Sequence, residues 1–474
     1  MDQALSDRNS RPGGGLVEPL IARGRAAMAA ISGAAQDGTD EMVIALAWSL
    51  YRPDRAEALA KLAVKDTGLG NVGDKIIKNQ RKTFGTLRDL LRAKTVGVID
   101  QDRSLGIVRF AKPVGVVAAV TPSTNPSATA VNIAMMAIKG RNAIIVAPSP
   151  SGFTTTSATV EAMRSELQRI GAPADLVQVL PPPASKDATE ALMQAADLVV
   201  VTGSQDNVRR AYRSGTPAIG VGAGNVPVII DETAELEDAA RKIAASKTFD
   251  NATSCSSENA VVLVESIHGE ALAALGRAGG YLCTADDARR VRAALWQGGK
   301  LNRALIAKDA AVLAAAFGLP EAARGARFFM VEESGTGPAH PFSGEKLSLV
   351  LAVYRAADFE AAAETVRQIL DYQGRGHSCG IHTRDAERPG RLAERLDVVR
   401  VLVNFAHTFG NGGGFDSGLN FTLSMGCGTW QKNSISENLS YRHFLNITHL
   451  VRPIPEDRPT EEELFGRYWA KFGR

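Results

Sequence analysis

The sequence predicts an α/β protein of two or three domains, in which parallel sheets are covered by helices on both faces. Short runs of Val, Ile and Ala at 114–120, 143–147 and 198–202 alternate with helical patterns. Continuous apolar strands separated by helices are typical of parallel sheets that are buried on both sides. The length of 474 residues exceeds what one ordinary hydrophobic core accommodates, which favours several domains.

The N-terminal part of the chain is expected to be helical. Residues 1–15, which include a run of three glycines, are predicted to form a flexible lead. Residues 16–91 then follow a helical pattern with Ala-rich stretches. Residues 97–110 place two β-prone runs on either side of a polar turn, which predicts a hairpin.

Beyond the hairpin, strands and helices are expected to alternate. Strands are predicted at 114–120, 143–147, 176–180, 198–202, 228–230, 260–264, 348–353, 400–404 and 444–451, and helices at 127–138, 155–170, 186–195, 204–214 and 234–247. We expect the strand at 228–230 to continue the first sheet, and a second α/β stretch to begin near residue 254. Residues 409–430 are rich in Gly, Ser and Asn, which predicts a loop.

Composition argues against several classes of protein. Hydrophobic residues make up 45% and charged residues 22%, as in a soluble globular protein, and the net charge of +3 is too small to indicate nucleic-acid binding. No apolar run approaches the ~18 residues of a membrane span. The four cysteines form no C-x-x-C pair, so neither a metal site nor a disulfide framework is expected. Without a signal-peptide pattern, we expect a cytoplasmic protein.

Cys255 is the strongest candidate for a catalytic nucleophile. It lies among small, polar residues at 251–259, directly before the apolar run at 260–264. A structural cysteine usually lies inside an apolar pattern, whereas a loop of small side chains leaves a thiolate accessible to a ligand. The other cysteines are interpreted as packing residues: Cys283, Cys379 and Cys427.

Loops that follow predicted strands contain further candidates. Asn125 lies beyond the strand at 114–120, where its amide could stabilise an oxygen that becomes negative during attack; a simple Asn-Pro turn is the alternative. Gly203 and Ser204 lead into a helix whose N-terminus offers N–H groups to phosphate. The glycines at 220–227 either permit close backbone approach to a ligand or form only a tight turn. His377 is a candidate for proton transfer, with a structural hydrogen-bonding role as the alternative.

Together these segments resemble the aldehyde dehydrogenase superfamily, and specifically its CoA-acylating branch. The resemblance covers about residues 16–453. It is carried, in this order, by the runs at 112–117, 124–126, 218–227, 247–251 and 433–438. These runs are similar to the acetaldehyde dehydrogenase half of bifunctional alcohol/aldehyde dehydrogenases, and the resemblance does not extend to the metal-dependent half.

The resemblance implies roles for individual residues. Cys255 would be the nucleophile, and Asn125 would hold the oxyanion together with the Cys255 backbone N–H. The cofactor-binding residues that it implies are Thr121, Pro122, Ser123, Ala147, Pro148, Gly203, Ser204, Gly222 and Glu345. Glu345 would contact the nicotinamide ribose, and Gly203 and Ser204 the pyrophosphate.

The resemblance also implies the architecture. It predicts an aldehyde dehydrogenase fold with a Rossmann-like cofactor-binding domain at 16–248, which includes the hairpin at 97–110. A catalytic domain with the nucleophile would follow at 249–430, and residues 431–474 would form a C-terminal segment that returns along the fold and takes part in oligomerisation. The hairpin and the strand at 444–451 match the small β extension through which the family oligomerises, so a homodimer or homotetramer is implied.

Two departures from the hydrolytic members of the family refine the expected reaction. Val221 stands where those members carry a glutamate base, and losing a general base typically costs ~10²–10⁴-fold. A thiol such as CoA is more nucleophilic than water, so we expect CoA to resolve the acyl-enzyme. Ala147 and Pro150 replace the Lys and Glu that bind the adenosine ribose, which leaves both NADP and NAD compatible with the sequence.

The predicted reaction is therefore aldehyde, CoA and NAD(P)⁺ to acyl-CoA and NAD(P)H. The loop at 251–259 resembles that of acylating sulfoacetaldehyde dehydrogenases, which favours sulfoacetaldehyde as the substrate. Acetaldehyde or another short aldehyde, a hydrolytic enzyme and a non-catalytic scaffold are the alternatives. A sulfonate would need cationic or N–H donors, for which Arg375 and the loop at 407–421 are candidates.

Overall fold

The computed structural model describes residues 14–182 and 185–474. Most of the predicted flexible lead lies outside the described residues, and Gly14 and Gly15 belong to the first helix. Four helices cover the region that was expected to be helical: α1 (Gly14–Ala30), α2 (Gln36–Tyr51), α3 (Pro53–Thr67) and α4 (Val72–Leu91). Helix α4 begins after Asn71, whose side chain accepts a hydrogen bond from the Asp74 N–H at 2.9 Å. The helical prediction is confirmed.

The next elements alternate as expected. In chain order they are β1 (Gly97–Asp102), β2 (Ile107–Pro113), β3 (Val116–Val120), α5 (Pro126–Lys139), β4 (Ala143–Ala147), α6 (Phe153–Arg169), β5 (Val177–Val179), α7 (Lys186–Ala195), β6 (Leu198–Val201), α8 (Gln205–Arg213), β7 (Ala218–Gly220), β8 (Val226–Ile230) and α9 (Leu236–Thr248). The predicted strands and helices of this part are confirmed to within a few residues at their ends, and the short β7 is an addition.

The C-terminal half contains more elements than the sequence patterns revealed. In chain order they are β9 (Glu258–Val264), α10 (His268–Arg277), β10 (Gly280–Leu282), α11 (Ala285–Leu295), β11 (Trp296–Gln297), β12 (Lys300–Leu301), α12 (Ala310–Phe317), β13 (Phe328–Glu332), β14 (Val350–Ala356), α13 (Phe359–Tyr372), β15 (Gly376–His382), α14 (Arg388–Arg395), β16 (Val398–Val403), α15 (His407–Gly410), β17 (Leu445–Val451) and α16 (Glu461–Phe472). The loop predicted at 409–430 is confirmed apart from the end of α15 and a 3₁₀ turn at its C-terminal end.

The first sheet has five parallel strands in the order β5-β4-β3-β6-β7. Successive residues of β3 point to opposite faces, and both faces are buried. Val117 and Ala119 belong to one apolar cluster, whereas Val116 and Ala118 belong to another. Burial on both sides explains why the strand is an unbroken apolar run rather than an alternating one.

The second sheet has seven parallel strands in the order β10-β13-β14-β9-β8-β15-β16. Strand β8, which was expected to continue the first sheet, pairs with β9 and β15 in this second sheet. A short apolar run looks the same in either sheet, because only tertiary packing selects its neighbours. The segment between β7 and β8 therefore crosses from one sheet to the other, and it passes the nucleophile loop on the way.

A third, antiparallel sheet joins distant parts of the chain in the order β1-β2-β17. It confirms both the hairpin and the strand that were predicted from alternation. In β17 the apolar side chains of Ile447, Leu450 and Val451 remain exposed. The division of the chain into domains stays a prediction. No helix in the described part of the chain is long and apolar enough to cross a membrane.

Candidate active site

A cleft of about 1120 Å³ opens at the carboxyl ends of the first sheet and includes Cys255 in its lining. Strand β3 lies between β4 and β6, so the order in which the chain adds strands to the sheet reverses at β3. At such a switch point the loops leave the sheet in different directions and create a ligand-binding crevice. The Thr121 N–H donates to the Ala147 carbonyl at 3.1 Å, and the Thr202 N–H donates to the Val120 carbonyl at 2.9 Å. These bonds align three strand ends along the cleft.

Most of the predicted site residues meet in this cleft. It is lined by Asn125, Cys255, Thr121, Pro122, Ser123, Pro148, Gly203, Ser204, Gly222 and Glu345, together with Val221. These residues come from six separate stretches of the chain, so their convergence depends on the fold.

The loop before Cys255 has an unusual backbone. Asp250, Asn251 and Ala252 have φ values of 49°, 53° and 59° in succession. A left-handed conformation costs a non-glycine residue roughly 1–2 kcal/mol, so three in a row require strong support from the surroundings. Strain of this kind concentrates where a protein must present a reactive group in a fixed position.

Asp250 provides much of that support. Its buried carboxylate accepts hydrogen bonds from Lys75 Nζ at 3.0 Å, from Thr253 Oγ1 at 2.7 Å and from Lys78 Nζ. Its backbone N–H donates to Asp74 Oδ2 at 2.7 Å. The two lysine cations beside it hold the pKa of this carboxyl below its usual range, although burial alone would raise it. The loop is thus fixed by a buried, charge-assisted network.

The same network reaches Asn125. Lys78 Nζ donates to Asn125 Oδ1 at 2.8 Å, which fixes the amide with its oxygen towards the lysine. Asn125 Nδ2 has a single long contact, 3.4 Å to Thr124 Oγ1, so it can still donate to a ligand in the cleft. An amide whose oxygen is held in this way is preorganised to donate its N–H.

Cys255 is a half-buried free thiol. Burial raises its pKa to about 12, and nearby Glu345 and Cys427 act in the same direction, whereas Arg400 lowers it. The thiol is therefore protonated in the resting protein. Gly224 packs directly against it: a Cβ on Gly224 would lie 2.3 Å from the Cys255 carbonyl oxygen, so only glycine fits there.

Gln431 holds the crossing segment between β7 and β8 in place. Its Oε1 accepts from the Ala223 N–H at 2.7 Å, and its Nε2 donates to the Ala223 carbonyl at 2.9 Å. A Cβ on Gly222 would lie 2.6 Å from Gln431 Oε1 and 2.7 Å from Cys427 Sγ. The glycines predicted from the sequence therefore serve close approach of backbone to the nucleophile loop and its neighbours.

The opposite part of the cleft has the features of a dinucleotide site. Thr121 Oγ1 and Ser149 Oγ are buried without a hydrogen-bond partner among the described residues, and both residues line the cleft. Ser204 caps helix α8 by accepting from the Asn207 N–H at 3.3 Å, and the first turn of that helix faces the cleft. Free hydroxyls beside a helix N-terminus suit a ligand that carries phosphates and hydroxyls. These residues fit a nicotinamide dinucleotide.

Two predicted residues lie outside the cleft lining. Ala147 ends β4 with its side chain packed in an apolar cluster of the sheet, and the next residues, Pro148 and Ser149, reach the cleft instead. His377 is buried in β15 with Nδ1 2.8 Å from Ser378 Oγ. Burial holds its pKa well below the usual range, so the imidazole is neutral. Neither side chain lies where a ligand in the cleft would touch it.

Arg375, a sequence-based candidate for sulfonate binding, lies elsewhere. It pairs at the surface with Asp397, with Nε donating to Oδ2 at 2.9 Å. Both side chains line a separate small hollow that contains no residue of the nucleophile loop. A paired surface arginine in another hollow cannot contact an aldehyde at Cys255, so this prediction is wrong. The loop at 407–421, by contrast, does line the cleft through Thr408, Phe409 and Gly412.

Carboxylates that could activate water are few in the cleft. Among its described lining residues the acidic side chains are Glu190, Asp206 and Glu345. Glu190 and Asp206 both pair with Arg210, at 3.1 Å and 3.2 Å. Burial raises the pKa of Glu345 to about 8, which leaves it largely neutral at pH 7. No group of three His, Cys, Asp or Glu side chains in the described residues could hold a metal ion.

Sequence reasoning missed the contribution of helix α4. Lys75, Lys78 and Lys82 are spaced by three and four residues, so they share one helix face, and that spacing was the available signal. A run of basic residues on a helix usually indicates a solvated surface, so the spacing by itself does not predict a site. Here Lys78 and Lys82 line the cleft, together with Arg81.

Comparison with known proteins identifies the fold and its chemistry. The model of the "Aldehyde dehydrogenase family" matches residues 42–289, slightly more than half of the chain. The chain belongs to the aldehyde dehydrogenase family. The match begins in α2 and ends in α11, so it includes the Cys255 loop and the whole first sheet. The α/β aldehyde dehydrogenase fold and the oxidoreductase class predicted from the sequence are confirmed.

Its relatives within that family are acylating enzymes. An acylating sulfoacetaldehyde dehydrogenase of Cupriavidus necator is 51% identical over 97% of this chain and 93% of its own. An enzyme of the same name from Bilophila wadsworthia is 42% identical over 95% of this chain and 98% of its own. This aldehyde dehydrogenase therefore belongs to the CoA-acylating branch, as the sequence predicts.

A solved structure agrees with this assignment. The crystal structure of an acetylating aldehyde dehydrogenase from Geobacillus thermoglucosidasius superposes with a TM-score of 0.89 and is 34% identical. The match covers 94% of this chain and 98% of that one. The overall α/β fold is thus that of an acylating aldehyde dehydrogenase.

Proposed function

We propose that this enzyme oxidises sulfoacetaldehyde with CoA and NAD(P)⁺, forming sulfoacetyl-CoA and NAD(P)H. One observation carries the reaction type: Cys255 and the Asn125 amide share a cleft whose crossing segment has Val221 where a base would be needed. The choice of aldehyde is supported by the 51% and 42% identical relatives that bear the sulfoacetaldehyde name.

The first half of the reaction forms a thioester on the enzyme. The Cys255 thiol adds across the aldehyde C=O, which gives a thiohemiacetal whose oxygen receives hydrogen bonds from Asn125 Nδ2 and the Cys255 N–H. Loss of the carbinol hydrogen as hydride, and of the hydroxyl proton to solvent, leaves the acyl group on Sγ. NAD(P)⁺, when bound, supplies the hydride acceptor. The protein positions the carbinol carbon by holding Sγ and the oxygen at fixed points.

The second half transfers the acyl group to CoA. The CoA thiol attacks the thioester, the Cys255 C–S bond breaks, and the released sulfur regains a proton. Water competes poorly, because Glu190 and Asp206 are paired with Arg210 and Glu345 is largely neutral at pH 7. Since one thioester replaces another, the exchange is nearly balanced in free energy, and we expect the reaction to run in both directions.

The cofactor is proposed to be NADP or NAD. At the adenosine end Pro148, Ser149 and Pro150 line the cleft with no carboxylate among them, so these three residues would not repel a 2′-phosphate. Lys186 and Arg210 also line the cleft, and Arg210 offsets the charges of Glu190 and Asp206, with which it pairs. Glu345 is proposed to contact the nicotinamide ribose, as the family resemblance implies.

We also propose a cytoplasmic homodimer or homotetramer. The β1-β2-β17 sheet leaves the apolar side chains Ile447, Leu450 and Val451 exposed, and such a patch is suited to contact another copy. All four cysteines are free thiols, as expected for a reducing compartment. Light scattering of the purified enzyme would give the mass of the assembly.

Formation of NAD(P)H from sulfoacetaldehyde and from acetaldehyde, each with and without CoA, tests the proposal. We expect CoA-dependent activity, with kcat/KM higher for sulfoacetaldehyde. Activity that does not need CoA would contradict the acylating mechanism for this chain. Equal or better turnover of acetaldehyde would transfer the assignment to a short uncharged aldehyde, the second candidate, which the 34% identical acetylating structure supports.

A further inference from the structure

Helix α4 presents two kinds of cation to the cleft. Lys75 and Lys78 both form ion pairs with the buried carboxylate of Asp250. Arg81 and Lys82, one turn further along the helix, form no salt bridge within the described part of the chain. Both line the cleft that contains Cys255. Two cations without a paired carboxylate beside a nucleophile suggest an anionic group on the ligand.

Arg81 is held by aromatic rings rather than by an acid. Its guanidinium carbon lies 5.3 Å from the ring centre of Phe409, 5.7 Å from that of Phe415 and 5.4 Å from that of Phe421. Its Nη2 also donates to the Phe409 carbonyl at 3.3 Å. Asp416 lies near enough to favour the charged form without forming a salt bridge. Stacking fixes the guanidinium plane while most of its five N–H donors stay available.

Lys82, the next residue of α4, also lines the cleft. Its Nζ donates to the Gly412 carbonyl at 2.6 Å and to the Thr422 carbonyl at 3.3 Å, which uses two of its three N–H groups. Neighbouring Arg81 and Lys78 repel its positive charge, whereas a Cys255 thiolate would attract it. An added anion would therefore stabilise the ammonium at this point.

Arg81 and Lys82 lie on a different element from the residues of the dinucleotide side, which agrees with the short distance between the aldehyde and the sulfonate in the proposed substrate. Thr121, Ser149 and Ser204, which form the dinucleotide side, come from the first sheet and its loops, whereas Arg81 and Lys82 come from α4. Cys255 lines the cleft with both groups. In sulfoacetaldehyde one methylene separates the aldehyde carbon from the sulfonate, so the anion must be bound within a few ångströms of the nucleophile, away from the nicotinamide.

We propose that Arg81 and Lys82 bind the sulfonate of the substrate and so determine the preference for a sulfonated aldehyde. This inference rests on the proposed function. A sulfonate has three acceptor oxygens, which can be shared between the guanidinium fork and the ammonium. An uncharged aldehyde would leave both cations desolvated without an anionic partner, and this penalty disfavours it.

The competing explanation is that Arg81 and Lys82 only brace the loop at 407–421. Arg88 provides a matched control on the same helix, because its guanidinium lies 5.2 Å from Phe415 and 5.0 Å from Phe421. Unlike Arg81, Arg88 is paired with a carboxylate, Asp89 at 2.7 Å, and does not line the cleft. A bracing role predicts similar effects for Arg81→Gln and Arg88→Gln.

The experiment compares wild type, Arg81→Gln, Arg81→Lys, Lys82→Met and Arg88→Gln in steady-state kinetics with CoA. For Arg81→Gln we expect the ratio of kcat/KM for sulfoacetaldehyde to kcat/KM for acetaldehyde to fall by about 10–100-fold, the value of one charge-assisted contact. Lys82→Met should change the ratio in the same direction. Arg81→Lys, which keeps the charge, should recover part of it, and Arg88→Gln should leave it as in wild type.

A binding readout separates this inference from the proposed function. 2-Hydroxyethanesulfonate, which cannot be turned over as an aldehyde, should inhibit acetaldehyde oxidation competitively, and 1-propanol should inhibit far more weakly. We expect the inhibition constant of the sulfonate to rise about 10–100-fold in Arg81→Gln. Thermal unfolding of each variant shows whether a loss reflects misfolding.

Each outcome bears on one claim. If wild type does not oxidise sulfoacetaldehyde but is inhibited by the sulfonate through Arg81, the substrate assignment fails and the anion site stands. If wild type oxidises sulfoacetaldehyde while Arg81→Gln and Lys82→Met keep the wild-type ratio and inhibition constant, the site assignment is overturned and the proposed function stands. Equal losses in Arg81→Gln and Arg88→Gln would also overturn it, in favour of bracing.

Discussion

The two ends of the active-site cleft are built in different ways. The cofactor end consists of strand ends, the buried hydroxyls of Thr121 and Ser149 and the N-terminus of α8. The aldehyde end consists of charged side chains from α4 and of the loop at 407–421. The cofactor end is a consequence of sheet topology, which many proteins share. The aldehyde end depends on individual side chains, which a small number of substitutions is enough to change. Under the proposal for Arg81 and Lys82, chemistry and specificity have separate structural origins in this enzyme.

Removing the nucleophile should affect both ends at once and produce the largest loss. Cys255→Ala should lower CoA-dependent NAD(P)H formation by at least about 10³-fold, because the thioester cannot form. Cys283→Ala is the control, since Cys283 is buried in the core of the second sheet and does not line the cleft. Activity that survives in Cys255→Ala would show that the cleft works by a different mechanism.

The oxyanion contact should come next. Asn125→Ala should lower kcat by about 10²–10³-fold with a much smaller change in KM, because the amide acts on charge that develops during attack. Stopped-flow measurement of the first turnover would show the same loss. A defect confined to KM would instead make Asn125 a residue of ground-state binding.

Variants of Lys78 and Lys75 can separate an effect on the position of the Asn125 amide from an effect on the stability of the fold. Both bind Asp250, but Lys78 also holds the Asn125 oxygen at 2.8 Å. Replacing either by Met should lower the free energy of unfolding by about 2 kcal/mol, because Asp250 loses the charge-assisted hydrogen bond from one lysine while the other lysine still pairs with it. Only Lys78→Met should also reduce kcat of the folded enzyme, by about 10–100-fold. Equal kcat values for the two variants would contradict a positioning role for Lys78.

The pH profile probes the aldehyde end. Burial and the charges of Arg81 and Lys78 lower the pKa of Lys82 to about 7. Its ammonium is therefore fully present below that pH and is lost as the pH rises through 7. The preference for sulfoacetaldehyde over acetaldehyde in kcat/KM should fall about tenfold between pH 6 and 9, while Arg81 stays charged. The fall should vanish in Lys82→Met, and a flat wild-type profile would exclude Lys82 as a sulfonate ligand.

The smallest expected effect comes from adding a base. Val221→Glu would place a carboxylate where hydrolytic relatives have one, and CoA-independent NAD(P)H formation should rise about fivefold. The gain falls below the ~10²–10⁴-fold of an optimised general base, because burial at this site would raise the pKa of the new carboxyl. Val221→Gln has a similar size without the charge and should show no gain.

Prediction from the sequence succeeded where the pattern was local. The unbroken apolar run of β3, the hairpin of β1 and β2 and the small-residue loop around Cys255 all have signatures that do not depend on distant residues. It was wrong at β8 and Arg375, because partner strands and ion pairs are selected in three dimensions. Arg375 looked available in the sequence, and only the fold shows that Asp397 pairs with it.

By itself, the sequence determined the alternation of strands and helices, and it singled out Cys255 and Asn125 as the candidates for the nucleophile and the oxyanion amide, since each of these depends on residue type and local order. Tertiary structure alone decided that the crossing segment packs on Cys255, that Lys78 holds Asn125, and that Arg81 and Lys82 reach the aldehyde end. Those contacts join residues separated by 31 to 340 positions, from Gly224 and Cys255 to Lys82 and Thr422. The reason is physical: a buried charge is stabilised by its neighbours in space, and the order of residues along a chain does not specify which neighbours those are.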